Sequence, residues 1–188
     1  MSASTVIGDV TQSLEDLLKT EQRPANFFDV SLKSPAEETI DQSTTKPKIN
    51  LFLMRVLENP HAKNQDWAPV GVGELQYPPL ALDLLYLLTP FSSSKLDEHR
   101  VLGEAMRVFY DHSIVTGSFL LGSLAGTTEE LKLDLRPCDL EELTKVWNAF
   151  NKPYRLSVCY DVRMVFIDSA TRQQVTRVIE KTGIYSQI

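Results

Sequence analysis

A run of fourteen residues near the C-terminal end, residues 154–167, has an apolar or aromatic side chain at every even position. In a β-strand successive side chains point to opposite faces, so this alternation predicts one long strand. At about 3.3 Å per residue it would span roughly 45 Å, which exceeds most strands of globular proteins. Strands of this length favour proteins that build rings or tubes from sheets. The predicted apolar face holds Leu156, Val158, Tyr160, Val162, Met164 and Phe166, and the predicted polar face holds Arg155, Ser157, Cys159, Asp161 and Arg163.

Three helices are predicted from apolar residues at helical spacing. The first covers residues 4–20, and Pro24 prevents it from continuing further. The second begins at Ser94, with an acidic residue three positions later in a capping-box pattern, and ends near His112. The third begins at Asp139, and Trp147 lies on its apolar side. These helices supply the apolar faces that a sheet needs to cover it.

Four further strands are predicted, and they make the fold mixed. Residues 27–32 and 131–135 are short, whereas residues 49–56 carry large apolar side chains on both faces, as in a strand covered on two sides. Residues 80–89 form a leucine-rich run that Pro90 is expected to end, with a buried helix as the competing interpretation. We therefore predict a single α/β (α+β) domain, residues 1–188, with a mixed, mainly antiparallel sheet lined by helices.

The connecting segments differ in character. Residues 33–48 are polar, aperiodic and contain two prolines, which predicts a long projecting loop. Residues 61–73 are interpreted as a linker, and the glycine-bearing residues 117–126 as a flexible connection, since no phosphate-loop spacing is present. Residues 169–188 are predicted to form a last edge strand or an extended arm.

Composition excludes several functions. The chain has 188 residues, a net charge of −6 and a pI near 5.1, without a lysine or arginine cluster, which argues against nucleic-acid binding. Acidic residues interrupt the apolar positions of the first twenty residues, so no signal peptide is expected, and no apolar stretch approaches the ~20 residues of a membrane span. We expect no direct membrane insertion. The two cysteines fit no metal spacing and favour a reducing compartment.

No constellation in the sequence predicts catalysis, a cofactor or a metal. His61, His99 and His112 lack a second ligand at metal-binding spacing and are assigned surface or capping roles, the last at a helix C-terminus. Cys159 lies between Arg155 and Arg163 on the predicted polar face. Those cations could lower its thiol pKa, but a small filler residue in a strand is the preferred interpretation.

The order of several segments resembles the cap, or tube-terminator, proteins of phage-tail-like contractile injection systems of the extracellular type. The matching stretches are Ile7-Gly-Asp-Val-Thr-Gln-Ser-Leu-Glu-Asp-Leu-Leu18, Pro47-Lys-Ile-Asn-Leu-Phe-Leu-Met-Arg-Val-Leu-Glu-Asn59, Tyr77-Pro-Pro-Leu-Ala-Leu-Asp-Leu-Leu-Tyr-Leu-Leu-Thr89, the helix with Glu98 and Val101-Leu-Gly-Glu-Ala-Met106, and Trp147 ahead of Tyr154-Arg-Leu-Ser-Val-Cys-Tyr-Asp-Val162. The stretch from Tyr77 is the most specific. In that family a basic or Arg-Asn pair often follows the position of Glu58-Asn59. This chain has His61-Ala-Lys-Asn64 instead.

The resemblance implies a structural role without catalysis. It implies a hexameric ring at the distal end of the inner tube and sheath, which ends their polymerisation and holds the sheath extended. It also implies a fold related to phage tail-terminator proteins and assembly in the cytoplasm, into a particle that is then released or membrane-anchored. The candidate subunit or sheath contacts are Trp67, Pro78, Pro79, Arg163, Val175 and Val178.

Two other functions remain open from the residues themselves. One is a small α/β enzyme, a hydrolase or transferase whose site combines Asp161, Arg163 and His112. The other is an adaptor that binds a partner by strand addition at its last edge. A closed ring would favour the terminator, and a monomer with a polar pocket would favour the enzyme.

Overall fold

The computed structural model describes residues 4–40, 46–63 and 65–175. Three helices and nine strands form these parts of the chain, with short 3-10 helices at Pro60–Ala62, Gly117–Phe119 and Gly122–Leu124. The elements in chain order are α1 (Val6–Thr20), β1 (Asp29–Ser31), β2 (Lys48–Glu58), β3 (Ala68–Gly71), β4 (Glu74–Gln76), β5 (Leu80–Phe91), α2 (Lys95–Asp111), β6 (Ile114–Val115), β7 (Leu131–Arg136), α3 (Leu140–Ala149), β8 (Val158–Ile167) and β9 (Arg172–Gln174).

The strands form two sheets. A six-stranded sheet has the order β1-β2-β5-β8-β7-β6, and a three-stranded sheet has the order β3-β4-β9. Only β1 and β2 run parallel, and all other neighbours are antiparallel. The predicted mixed, mainly antiparallel α/β fold is confirmed.

The large sheet is covered by helices on both faces. The main core joins α1 and α2 to one face, where Leu84 and Tyr86 of β5 are fully buried. The phenol of Tyr86 meets the hydroxyl of Thr11 in α1 at 2.7 Å. On the opposite face Leu143 of α3 packs in a smaller core with Leu85 and neighbouring side chains. This arrangement confirms the prediction that the strand at residues 49–56 is covered on two sides, although β2 is exposed from Arg55 onward.

The predicted caps define two helix starts. The Ser94 hydroxyl accepts a hydrogen bond from the backbone N–H of Asp97 at 3.4 Å, and the Asp139 carboxylate accepts one from Glu142 at 2.7 Å. These bonds satisfy N–H groups that the first helical turn leaves without partners. His112 is the C-cap residue of α2, as predicted, with Nδ1 at 3.0 Å from the Val108 carbonyl oxygen.

The predicted strand at residues 80–89 is β5, and the competing helix is wrong. Pro90 does not end the strand, which continues to Phe91 with Pro90 opposite Ile49 of β2. The pairing of β5 with β8 ends at Leu88, so only one neighbour remains at the proline. Proline has no N–H to donate, and it is tolerated where a strand lacks a second neighbour that would need this donor.

The long C-terminal strand differs from its prediction in length and in alternation. It begins at Val158 rather than at residue 154, and a β-bulge interrupts it between Val162 and Val165. Met164 in the bulge has a positive φ of 61°, and beyond it Val165 instead of an even residue is buried in the main core. An extra residue in one strand of a pair reverses the faces beyond it. The predicted apolar face is therefore correct only before the bulge.

The predicted polar face of this strand is also wrong at two positions. Cys159 is 1% exposed in the small core under α3. Ser157 is buried before β8 begins, with its hydroxyl 2.9 Å from that of Thr89. Because α3 covers this face, small and polar side chains here are internal.

The segments predicted as a linker, a projecting loop and a flexible connection contain more structure than expected. Residues 61–73 include β3, and Gly73, with φ of 76°, completes the two-residue turn of the β3–β4 hairpin. In residues 33–48, Pro35 is buried and Lys48 already belongs to β2. Leu120 and Leu124 of residues 117–126 are buried in the main core. Proline and glycine in these segments mark tight turns and packed connections rather than open chain.

Candidate assembly surfaces

Four of the predicted contact residues flank the strands of the three-stranded sheet: Trp67 precedes β3, Pro78 and Pro79 follow β4, and Val175 follows β9. The Trp67 ring packs edge-on against Tyr77, with ring centroids 5.2 Å apart, so part of its surface is used within the subunit. Pro78 and Pro79 line a groove of about 370 Å³ together with Asn59, Tyr77 and Ile167. The structure thus brings Trp67, Pro78 and Pro79 to one region.

A buried amide and a carboxylate hold the wall of this groove. The Asn59 side chain donates to both oxygens of Asp83, at 3.0 and 3.1 Å, and accepts from the backbone N–H of His61 at 2.9 Å. Asp83 in turn accepts from the backbone N–H of Met164 at 3.3 Å, which fixes the β8 bulge. The sequence predicts only the turn of this network, through the Asn-Pro pair at residue 59, and not its distant partners.

Exposed apolar side chains follow the chain from the β3–β4 hairpin to the start of β5. Val72 is fully exposed, and Val70, Tyr77 and Leu80 are each about half exposed. We call these four residues the hairpin surface. Exposed apolar side chains within one short segment are candidates for contacts with another protein.

A second apolar surface lies between α2 and β7. Met106 and Tyr110 of α2 face Leu133 and Leu135 of β7 across a groove of about 330 Å³, in which Tyr110 is 82% exposed. We call these four residues the helix–strand surface. Beyond Leu133 the outer edge of β7 extends past its short partner β6, which pairs only with Leu131 and Lys132. Unpaired strand edges and exposed aromatic residues are both common in protein interfaces.

The other predicted contact residues have different locations: Arg163 lies in β8, Val175 lies beside the turn of the hairpin, and Val178 is outside the described residues. Arg163 is half exposed and forms an ion pair with Asp134 at 3.3 Å, which ties β7 to β8, and a longer one with Asp161 of its own strand at 3.9 Å. Val175 follows β9, and its backbone N–H donates to Gly73 at 2.8 Å. Val178 lies outside the described residues. Arg163 is thus partly engaged within the subunit.

The three residues of the enzyme alternative do not come together: Arg163 lies near Asp161, but His112 is on the other face of the sheet. His112 ends α2 on the main-core side, where its ring contacts Phe119 at 5.1 Å. Asp161 shares its strand face with Cys159, on the opposite side of the sheet. Burial raises the pKa of the Asp161 carboxyl, a change that the arginines nearby oppose. The sheet therefore separates Asp161 from His112.

The lowered thiol pKa considered for Cys159 is not found. Burial raises the pKa of the Cys159 thiol well above its usual range, and the cation that acts against this rise is Arg136 rather than Arg155 or Arg163. Among the described residues no group of His, Cys, Asp and Glu could hold a metal ion. Within the same residues no helix is both long and apolar enough to span a bilayer.

The mixed sheet with helices on both faces places the chain in a fold class, that of the tail terminators. Within that class, the chain belongs to the Pvc16 N-terminal domain family, whose model matches residues 9–181. A comparison with curated protein sequences finds no significant similarity.

Two solved structures are similar to essentially the whole chain. One is the PVC sheath/tube terminator of an extracellular contractile injection system in the extended state, with a TM-score of 0.69, 18% identity and coverage of 100% of this chain and 65% of that chain. The other is the tube-terminating cap of the anti-feeding prophage, with a TM-score of 0.61, 16% identity and coverage of 98% and 62%. The chain thus spans less than two thirds of either protein.

Proposed function

We propose that this chain caps the distal end of a contractile injection particle, where it ends the inner tube and sheath and stabilises the extended sheath. The observation that carries this proposal is the similarity of its entire fold to the PVC sheath/tube terminator. The role is structural, and it requires no catalytic group.

A terminator needs two different ends. A helical polymer presents a free heterologous interface at its growing end, and addition stops when a subunit matches that interface on one side only. The hairpin surface and the helix–strand surface are separate apolar patches on one subunit. We assign them to different neighbours, which include the next copy in a ring and the proteins of tube and sheath.

We further propose a ring of six copies and a single capping domain over residues 1–188. Residues 33–48 and 169–188 would supply the projecting loop and the C-terminal arm. Trp67, Pro78, Pro79, Arg163, Val175 and Val178 remain proposed contacts. Native mass spectrometry tests the ring, and a stable monomer at micromolar concentration and physiological salt would count against it.

The decisive experiment removes the gene and measures particles by electron microscopy. Without the protein we expect tubes and sheaths of uncontrolled length, or sheaths that contract early, because no subunit blocks the free end. Rescue should succeed with the wild-type gene and with a variant in which His61, His99, His112 and Cys159 are all alanine. Normal extended particles in the deletion strain would refute termination, and failed rescue by the folded fourfold variant would revive a catalytic role.

A further inference from the structure

The fold brings together the two cysteines of the chain. Cys138 and Cys159 are twenty-one positions apart, and they are the only cysteines in 188 residues. The antiparallel register places Arg136 opposite Cys159, and Cys138, two residues later, packs against the small core that contains Cys159. Each thiol is close enough to the other to influence its pKa. Both are free in this structure.

Their location is the less extensively packed side of the molecule. The small core under α3 has four buried residues, Leu85, Leu87, Leu143 and Cys159, whereas the main core has twenty-five. Cys138 packs against this small core directly before Asp139, the N-cap of α3. A covalent bond between the two sulfur atoms would therefore attach the start of α3 to the middle of the large sheet. Small cores gain most from such cross-links.

We propose that Cys138 and Cys159 are a redox-sensitive pair that forms an intramolecular disulfide when the chain meets a low-molecular-weight disulfide. The inference is independent of the terminator role, since it concerns only the chain's own side chains. A reducing compartment keeps both thiols free, and oxidising surroundings fasten α3 to β8.

The chemistry is ordinary thiol–disulfide exchange. Cys138 is partly exposed, so its thiolate attacks one sulfur of the oxidant, forms a mixed disulfide and expels one small thiolate. Cys159 then loses its proton and attacks the Cys138 sulfur, which expels the second small thiolate. The two protein thiols lose two electrons and two protons, and the oxidant disulfide gains them as two small thiols.

Burial sets the rate of this reaction in the folded chain. It raises the pKa of both thiols, more strongly for Cys159, and the carboxylate of Glu142 acts in the same direction. The nearby guanidinium of Arg136 opposes this effect. Only the thiolate reacts, so oxidation of the folded protein should accelerate as the pH rises.

The test uses the full chain with oxidised and reduced glutathione as the probe. One sample is refolded from denaturant in the redox buffer at about pH 8, so that access to Cys159 does not limit the reaction. A second sample is incubated in the folded state. Intact mass and the number of alkylatable thiols after denaturation are measured for both, and Tm is measured with and without reductant.

We expect the refolded chain to lose two hydrogens and both alkylatable thiols, and the folded chain to follow more slowly. Closing a loop of this length should raise Tm on the order of 5–10 °C, and reductant should reverse the rise. Cys138→Ser and Cys159→Ala are the matched controls and should show no such rise. Two free thiols after refolding, a stable glutathione adduct on Cys138 alone, or an oxidised chain with a lower Tm than the reduced chain would each overturn the proposal.

Discussion

One carboxylate oxygen joins α1 to the segment that connects β6 and β7. Oδ2 of Asp9 accepts hydrogen bonds from the Thr5 hydroxyl at 2.9 Å, the Ser123 backbone N–H at 3.1 Å and the Ser123 hydroxyl at 2.5 Å. The segment that it holds contributes Leu120 and Leu124 to the main core. Removing this oxygen should therefore loosen a part of the core that is remote in sequence.

The magnitude follows from the number of bonds and their exposure. A hydrogen bond to a charged group contributes about 1.5–3 kcal/mol, and water can replace part of that contribution at the half-buried Asp9. We expect Asp9→Ala to lower the free energy of unfolding by about 3 kcal/mol and Tm by about 6–12 °C. Asp9→Asn keeps an acceptor but loses the charge, and it should cost about 1 kcal/mol.

The pH dependence gives a second, independent measure. The Ser123 hydroxyl, followed by the other donors, lowers the pKa of the Asp9 carboxyl in the folded chain despite its burial. A lowered folded pKa adds stability that is complete above the unfolded value of about 4 and is lost as the pH falls through the folded value. The stability gap between wild type and Asp9→Asn should therefore begin to narrow below about pH 4 and narrow further as the pH falls through the folded pKa.

Urea unfolding followed by far-UV circular dichroism, at neutral pH and at about pH 3.5, measures both effects. Ser123→Ala is the matched control, since it removes one hydroxyl donor and leaves the backbone donor in place. Its loss should be smaller than that of Asp9→Ala. Equal stability of Asp9→Ala and wild type at neutral pH, or a gap to Asp9→Asn that does not change with pH, would refute this account of Asp9.

Three further predictions address the turn, the core and the surface. Gly122→Ala should lower the free energy of unfolding by about 2–4 kcal/mol, because an added Cβ would lie 2.2 Å from Asp9 Oδ1. Gly117 has a similar positive φ but open space around it, so Gly117→Ala should cost only about 1 kcal/mol. Urea unfolding measures both. Val162→Asp should abolish folding, seen as loss of the dichroism spectrum, since it buries an unpaired carboxylate at a fully buried position. Val72→Ser should leave Tm unchanged, because the side chain is fully exposed. It should weaken ring formation, which native mass spectrometry measures. Unchanged assembly would remove Val72 from the proposed interface.

Local signals predicted the helices and much of the sheet. Ser94 and Asp139 are caps whose partners lie three residues away, so their bonds depend on local chain geometry. The strand at residues 131–135 appears as β7, one residue longer. Such features need no knowledge of the rest of the molecule.

Features that depend on distant partners could not be predicted in the same way. The β8 bulge rests on Asp83 and Asn59, which are far from Met164 in sequence, so the alternation of residues 154–167 gave no sign of it. Cys159 looked polar because nothing local indicates that α3 covers that face. The assembly surfaces could not be predicted either, because the exposure of Tyr110 and Val72 is a property of the folded chain.

The β8 bulge also affects how this chain should be aligned with its relatives. Deleting one residue at position 163 or 164 would restore strict alternation and keep Tyr160, Val162 and Val165 on one face. A relative with a regular strand should therefore align only with a one-residue gap here. The carboxylate of Asp83 accepts from both Asn59 and the N–H of Met164 in the bulge, so sequences with the gap lose one of its two partners. An alignment forced through this strand without the gap would exchange inward and outward positions over its last residues.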